Sequence, residues 1–160
     1  MKLFIEFTRP KKFAPLSYVI RAIQGTPYSH VRLRWVNSVG VDIVYEASGS
    51  NVHFLGPMAQ SQKPVHVTHS FCYTLSKDQY RELIKVCMSY AGIDYGVVQL
   101  LGIGVARLFG LHKNPLSRGD SRVVCSELVG IVILDILGIT FNDNLDLLGP
   151  KEVLETLLNT

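Results

Sequence analysis

Residues 30–47 hold the pattern that most constrains the fold. Residues 30–36 read HVRLRWV, in which apolar side chains alternate with His30 and two arginines. A second alternating segment, VDIVYEA at 41–47, follows a polar stretch at 37–40. Alternation with a period of two is typical of a strand with one buried face. The sequence therefore predicts a β-hairpin with His30 on its polar face.

The register of this hairpin decides which polar side chains face each other. A turn centred on Ser38 would set His30 opposite Glu46 and Arg34 opposite Asp42, at the roughly 5 Å Cβ spacing of cross-strand pairs. A carboxylate beside an imidazole can orient the ring and stabilise its charged form. The alternative interpretation is an ordinary surface hairpin whose charged face is solvated.

Cys125 lies where a polar segment gives way to an apolar one. The polar residues at 117–122 include Asp120 and Ser121 as candidate helix N-caps, and an apolar run continues to Gly138. This pattern predicts a helix with Cys125 in its first turn. Unpaired N–H groups and the helix dipole lower a thiol pKa there, which favours a nucleophilic thiolate. The alternative is a buried structural cysteine, since free cysteine is among the most buried residue types.

The spacing of the cysteines and histidines indicates neither a disulfide nor a metal site. The three cysteines are an odd count without CxxC spacing. Cys87 falls on the apolar face of a helix expected from Ser76 to near Gly92, and we expect it in the core. Cys72 falls in an alternating segment and is only a reserve nucleophile candidate. The histidines lack zinc-ligand spacing, so we expect neither a metal nor a cofactor.

The remaining patterns predict an α+β fold. We expect strands at 3–7, 52–54 and 65–75, and helices over 16–24 and from Ser76 onwards, with further helical segments at 97–109, 128–139 and 150–158. Because strands largely precede helices, an antiparallel sheet packed against helices is the predicted architecture. The length of 160 residues and 48% hydrophobic content suit one domain spanning 1–160.

Charge and hydropathy restrict the partners. A net charge of +3 is too mild to indicate a nucleic-acid-binding protein. The apolar runs at 97–109 and 128–139 are shorter than the roughly 20 residues that span a bilayer. Residues 1–7 alternate as a strand and lack the apolar core of a signal peptide. We therefore expect a cytoplasmic protein without a transmembrane segment.

Three short motifs in order resemble a known family. Tyr28-Ser29-His30-Val31, then Val44-Tyr45-Glu46-Ala47, then Cys125-Ser126-Glu127-Leu128-Val129 resemble the circularly permuted papain-like cysteine hydrolases. These belong to the NlpC-type amidase superfamily, and the YiiX-like branch is the nearest fit. Weaker similarities occur at 93–96 (IDYG) and 147–150 (LLGP). The chain departs from the family near the first strand, where Phe7-Thr8-Arg9-Pro10 replaces a frequent Gly-Asp pair, and this puts similarity of the substrate cleft in doubt.

The resemblance implies a catalytic triad and a covalent mechanism. Cys125 would be the nucleophile, His30 the base and Glu46 the residue that orients the imidazole. The backbone at Cys125 would supply one oxyanion donor, with Tyr28 and Ser126 as further oxyanion or substrate-binding residues. The implied substrate is an amide, peptide or thioester, including cell-wall peptides and acyl lipids, and either water or another acceptor could resolve the acyl-enzyme.

Two other functions remain open from the sequence. A non-catalytic protein on the same scaffold would use an apolar cleft to bind a lipid or a partner. An effector would modify one particular host or partner protein.

Overall fold

The computed structural model describes residues 1–117 and 121–160. A seven-stranded sheet in the order β5-β1-β2-β3-β4-β6-β7 forms its centre. The strands are β1 Lys2–Pro10, β2 His30–Val36, β3 Asp42–Ser48, β4 Asn51–Leu55, β5 Val65–Thr74, β6 Asp94–Tyr95 and β7 Arg122–Val123. All neighbours pair antiparallel except β6 and β7, which are parallel. The predicted α+β class is confirmed.

Most of the helices follow the sequence signals. They are α1 Pro15–Gln24, α2 Pro57–Gln62, α3 Lys77–Tyr90, α4 Val97–Phe109, α5 Cys125–Val132 and α6 Pro150–Leu158. A π-helical turn, Ile133–Leu137, continues α5, and a 3₁₀ turn covers Leu145–Leu147. The capping box of Ser76 and Gln79 starts α3, and Gly25 ends α1 at φ 64°, a conformation that favours glycine. The sequence did not predict α2 or the two-residue strands β6 and β7.

One face of the sheet carries the hydrophobic core. The side chains of Leu3, Ile5 and Phe7 on β1 are fully buried, as are those of Val31 and Leu33 on β2. Helix α5 covers this face and contributes Leu128, Val129 and Val132 to the same cluster. The start of α5 is thereby fixed against the middle of the sheet.

The predicted register of the His30 hairpin is wrong by two residues. Leu33 pairs with Tyr45 and Val36 with Asp42, so the turn is centred on Val39 rather than Ser38. Asn37 pairs with Val41 and its Oδ1 accepts both N–H groups that shape the turn. Gly40 at φ 80° completes this longer loop. Because the shift is two residues, every side chain keeps its predicted face.

Charged residues link three strands on the opposite face. Both Arg32 and Arg34 donate to the buried carboxylate of Glu6, at 2.8 and 3.1 Å for the nearest nitrogens. Arg34 also donates to Asp42 at 2.9 Å, across a diagonal of the corrected register. The buried carboxylate is thus compensated by two guanidinium groups, as burial of charge requires.

Strands β2 and β3 are paired over only part of their length. Their pairing begins at Leu33 and Tyr45 and leaves out the first residues of β2. The preceding residues of β2, including His30 and Val31, still pair with β1, through Thr8 and Phe7. An opening is therefore left between the first residues of β2 and the last residues of β3. The first turn of α5 lies at this opening.

The anchoring of α5 yields a stability prediction. Leu128→Ala removes a side chain with no exposed surface and should lower the free energy of unfolding by about 2–5 kcal/mol. Leu158→Ala, at a position that is 64% exposed, is the matched control and should change it by less than about 0.5 kcal/mol. Urea unfolding followed by circular dichroism measures both. Equal effects would contradict the packing described for α5.

Candidate active site

Cys125 is the first residue of α5, as the sequence predicts, but the helix is capped differently. Val124 is at the N-cap position, so the expectation for Ser121 is wrong. Asp120, the other predicted cap, lies outside the described residues. The Glu127 carboxylate accepts from the Val124 N–H and from Gln99 Nε2 of α4. Glu127 thus supplies only the reciprocal half of a capping box, since it satisfies the N–H of the N-cap residue and no N-cap side chain accepts from the first turn.

The structure brings Cys125, His30 and Glu46 together in a line. His30 Nε2 lies 3.0 Å from Glu46 Oε2, and the ring also hydrogen-bonds the Cys125 thiol. The corrected register would set His30 opposite Ser48, so the imidazole reaches Glu46 diagonally. The predicted contact between His30 and Glu46 still forms, because both side chains are long enough to cover the two-residue diagonal.

The electrostatics of this line favour a thiolate–imidazolium pair. Burial opposes charge on Cys125, but the His30 charge and hydrogen bonds, with the N–H groups of Val31 and Ser126, lower the thiol pKa. Burial likewise works against a charged His30, yet Cys125 and Glu46 raise its pKa to about 10. Burial would raise the pKa of Glu46, but the hydrogen bond and charge of His30, with the Ser48 hydroxyl and the Arg32 charge, together lower it to about 2. Each group stabilises the charged form of its neighbour.

Tyr95 also interacts with the thiol, although the sequence predicts no role for it. Its phenol hydrogen-bonds Cys125, and burial followed by the thiolate charge raises its pKa well above the usual value. Strand β6 positions this side chain, because Tyr95 pairs with Val123, two residues before the cysteine. The IDYG segment at 93–96 was the available signal, but it carried only a family similarity.

The side chains of the two predicted accessory residues, Tyr28 and Ser126, make other contacts. Tyr28 is buried, with its ring 5.2 Å from Phe7 and 5.6 Å from His69 between ring centroids. Burial and nearby Glu155 raise its pKa to about 12. The Ser126 hydroxyl donates to the Leu148 carbonyl at 2.6 Å, so its side chain fastens α5 to the chain before α6. Only the backbone of Ser126 contacts the thiol.

A cleft of about 350 Å³ opens beside the imidazole. His30 and Glu46 line it, together with Thr8, Lys12 and Lys63. Among the described residues the buried Thr8 hydroxyl has no hydrogen-bond partner. Cys125 is 2% exposed and lies behind His30, outside the lining of the cleft. A substrate therefore meets the imidazole before it meets the sulfur.

The second carboxylate oxygen of Glu46, Oε1, also has polar neighbours. Its Oε1 accepts from Ser48 Oγ at 2.6 Å and lies 3.7 Å from Nε2 of His53, its cross-strand neighbour. His53 Nδ1 donates to the Asn51 carbonyl, which fixes the ring. These contacts hold the carboxylate in one orientation, so its Oε2 stays directed at His30.

The donor atoms of this site do not suit a metal ion. Nε2 of His30 is bonded to the Glu46 carboxylate at 3.0 Å, so this ring nitrogen is not free to bind a metal. Within residues 1–117 and 121–160 no group of three or more His, Cys, Asp or Glu side chains is arranged to hold a metal. The other cysteines stand apart, since Cys87 is buried in the core and Cys72 is exposed on β5.

Comparison with known proteins adds a fold relationship. No family model and no curated protein matches the chain. Among solved structures, the chain resembles the crystal structure of the metalloprotein YiiX from Escherichia coli O157:H7. The TM-score is 0.56 and the sequence identity 21%, over 84% of this chain and 65% of that one.

The chain therefore has a YiiX-type α+β fold and spans just under two thirds of that neighbour's length. In the part of the chain that the structure describes, the helices lack the length and apolar character needed to cross a bilayer.

The ion pair yields a prediction on thiol reactivity. Iodoacetamide should alkylate Cys125 near pH 6, where a thiol with the ordinary pKa of about 8.5 is almost wholly protonated. His30→Ala removes the main charge that lowers the thiol pKa, so labelling should then require alkaline pH. Mass spectrometry of peptides labelled between about pH 5 and pH 9 measures this.

The chain supplies its own standards for that measurement. Cys72 reports an accessible thiol, and Cys87, whose pKa burial raises to about 12, reports a buried one. If iodoacetamide alkylates Cys125 in the folded protein as slowly as it alkylates Cys87, the Cys125 sulfur is not an accessible thiolate.

Proposed function

We infer that this protein is a papain-like cysteine hydrolase of the permuted NlpC type, which cleaves an amide, peptide or thioester bond. The observation that carries this proposal is the Glu46–His30–Cys125 line at a helix N-terminus. A thiol whose pKa is lowered, with a base and an orienting carboxylate in hydrogen-bond sequence, is the arrangement required for nucleophilic catalysis.

The reaction begins from the ion pair. The Cys125 thiolate attacks the acyl carbon, forming a C–S bond while the carbonyl electrons move to oxygen. His30 as imidazolium gives its proton to the leaving amine or thiol, whose bond to carbon breaks. Neutral His30 then takes a proton from water, which attacks the acyl-enzyme and releases the acid and the thiolate. Glu46 keeps the ring oriented throughout.

Two donors are available for the developing oxyanion. The first is the backbone N–H of Cys125, at the start of α5. The second is the Tyr95 hydroxyl, whose interaction with the thiolate places it beside the reacting sulfur. Tyr95 replaces Tyr28 in this role, since Tyr28 is packed between Phe7 and His69.

The cleft suggests which substrates to test first. Lys12 and Lys63 at its edge favour an acyl compound with a negative charge near the scissile bond, and the Thr8 hydroxyl offers one further polar contact. No step is assigned to a metal, because within the described residues no group of three or more ligand side chains is arranged to hold one. Acyl thioesters and acyl-amino-acid amides with a free carboxylate are therefore suitable probes.

Trapping of the acyl-enzyme tests the activity directly. Rapid quenching with p-nitrophenyl esters and acyl thioesters should add the mass of one acyl group to Cys125. Cys125→Ala should show no adduct, and His30→Ala should slow acylation by about 10²–10⁴-fold. Adducts spread equally over Cys72 and Cys125 would contradict the proposal.

The pH dependence should follow the ion pair. Hydrolysis requires protonated His30 to assist the leaving group, so kcat/KM should fall as pH rises through about 10. Alkylation requires only the thiolate and should not fall there. Glu46→Gln removes a charge that supports the imidazolium, so the alkaline limb should move about one pH unit or more to lower pH. If Glu46→Gln left the alkaline limb of the kcat/KM profile unchanged, the role of Glu46 in orienting His30 would be contradicted.

Two tyrosine variants separate the oxyanion candidates. Tyr95→Phe should lower kcat by about 10²–10³-fold, the usual effect of one lost oxyanion donor. Tyr28→Phe keeps the packed ring and is the matched control, with kcat changed less than about 2-fold. Single-turnover acylation rates measure both, and the reverse order would favour Tyr28.

A second function is favoured by one observation, the burial of Cys125 behind the cleft. A non-catalytic binding protein would hold an acyl ligand or partner there without turnover. Cys125→Ser should then retain full biological effect, whereas a hydrolase would lose it while remaining folded.

A further inference from the structure

Helices α1 and α4 expose an unusual amount of apolar surface. Apolar side chains that are between 40% and 86% exposed occur along both helices and beside them: Phe13, Leu16, Tyr18, Val19, Ile23, Val97, Leu101, Leu108 and Phe109. Apolar surface of this extent, concentrated on neighbouring elements, marks an interaction site more often than a free surface.

A shallow apolar groove joins the two helices. Leu16, Val19 and Ile23 of α1 line one side, and Leu101 and Ile103 of α4 line the other. The lining is almost wholly apolar, and its one cation, Arg107, is paired with Glu152. The groove therefore offers little to a polar ligand.

A basic pocket adjoins the start of α1. It is lined by Arg9, Lys11, Lys12 and Arg21, with His66, and by no acidic side chain. Arg9, Lys11 and Lys12 take part in none of the ion pairs between described residues. Phe13, which is 86% exposed, projects beside these cations. The charge is thus uncompensated and lies next to apolar surface.

We propose that this face docks on an anionic lipid bilayer, with Phe13 and the α1–α4 groove in contact with acyl chains and the basic pocket on the headgroups. An aromatic side chain among cations, beside helices with one apolar side, is the composition of interfacial membrane-binding surfaces. Charge complementarity selects an anionic surface, because the pocket holds several cations without a counter-ion. This proposal goes beyond the proposed hydrolase and does not require catalysis.

The candidate active site lies at the border of this face. Lys12 lines both the basic pocket and the cleft that contains His30 and Glu46. Ser17 of α1 hydrogen-bonds Ser29, the residue before His30, at 2.6 Å. A docked bilayer would therefore present its headgroup region beside the cleft.

Vesicle flotation of the full chain tests the proposal. The wild type should float with vesicles of equimolar phosphatidylcholine and phosphatidylglycerol, much less with pure phosphatidylcholine, and less as salt is raised. The double change Lys11→Gln with Lys12→Gln should weaken binding about 30-fold. Val19→Ser with Leu101→Ser should weaken it about tenfold or more, through the lost apolar contact.

Matched controls lie on other helices. Met88→Ser with Leu158→Ser removes apolar side chains of similar exposure, and Lys77→Gln removes an exposed charge of α3. These should leave flotation unchanged, as should Cys125→Ser, which separates docking from catalysis. Wild-type protein that fails to float, or floats equally with both vesicles, would overturn the proposal. So would light scattering that shows a dimer dissociated by the Val19 and Leu101 changes, because the groove would then bind a second copy.

Discussion

The contact between the Cys125 thiol and the His30 imidazole depends on where one strand pair stops. Had β2 and β3 remained paired to their ends, the sheet would close over the space that the first turn of α5 now occupies. Instead the pairing ends at Leu33 and Tyr45, and the Val31 N–H donates to sulfur. The buried apolar face of α5 holds the helix against this opening, so core packing and thiolate stabilisation depend on the same placement.

Charge compensation explains how so polar a site is tolerated inside the protein. A lone buried carboxylate or thiolate would be neutral at physiological pH, because burial penalises the charged form. Here the charges alternate along Glu46, His30 and Cys125, so each lies beside its opposite. The buried Glu6 of β1 is compensated in the same way by Arg32 and Arg34 of β2. Removing one member would therefore leave an uncompensated partner, as in other buried ion pairs.

Local patterns in the sequence predicted the elements that have strong local signals. The alternation at 30–36, the capping box at Ser76 and the proline of α6 each lie where expected. The hairpin register was missed because it depends on a three-residue loop with Gly40 at positive φ, which alternation alone does not encode. Tyr95 was missed because its proximity to Cys125 arises from a two-residue parallel pairing between distant segments. Cys125, His30 and Glu46 could be selected because each stood in a recognisable motif, whereas an isolated tyrosine in a short strand had none.

The edge of the sheet that leads into α5 is also its least extensive part. Strands β6 and β7 contribute two residues each, and β6 joins β4 through the single pair Asn51 and Asp94. Three further backbone hydrogen bonds join residues 92–95 to residues 50–52, so this edge is held largely by residues beside the short strands. Because β7 leads directly into α5, these bonds also fix the position of Cys125 relative to His30 on β2. A substitution that loosened them would separate the sulfur from the imidazole without changing either side chain.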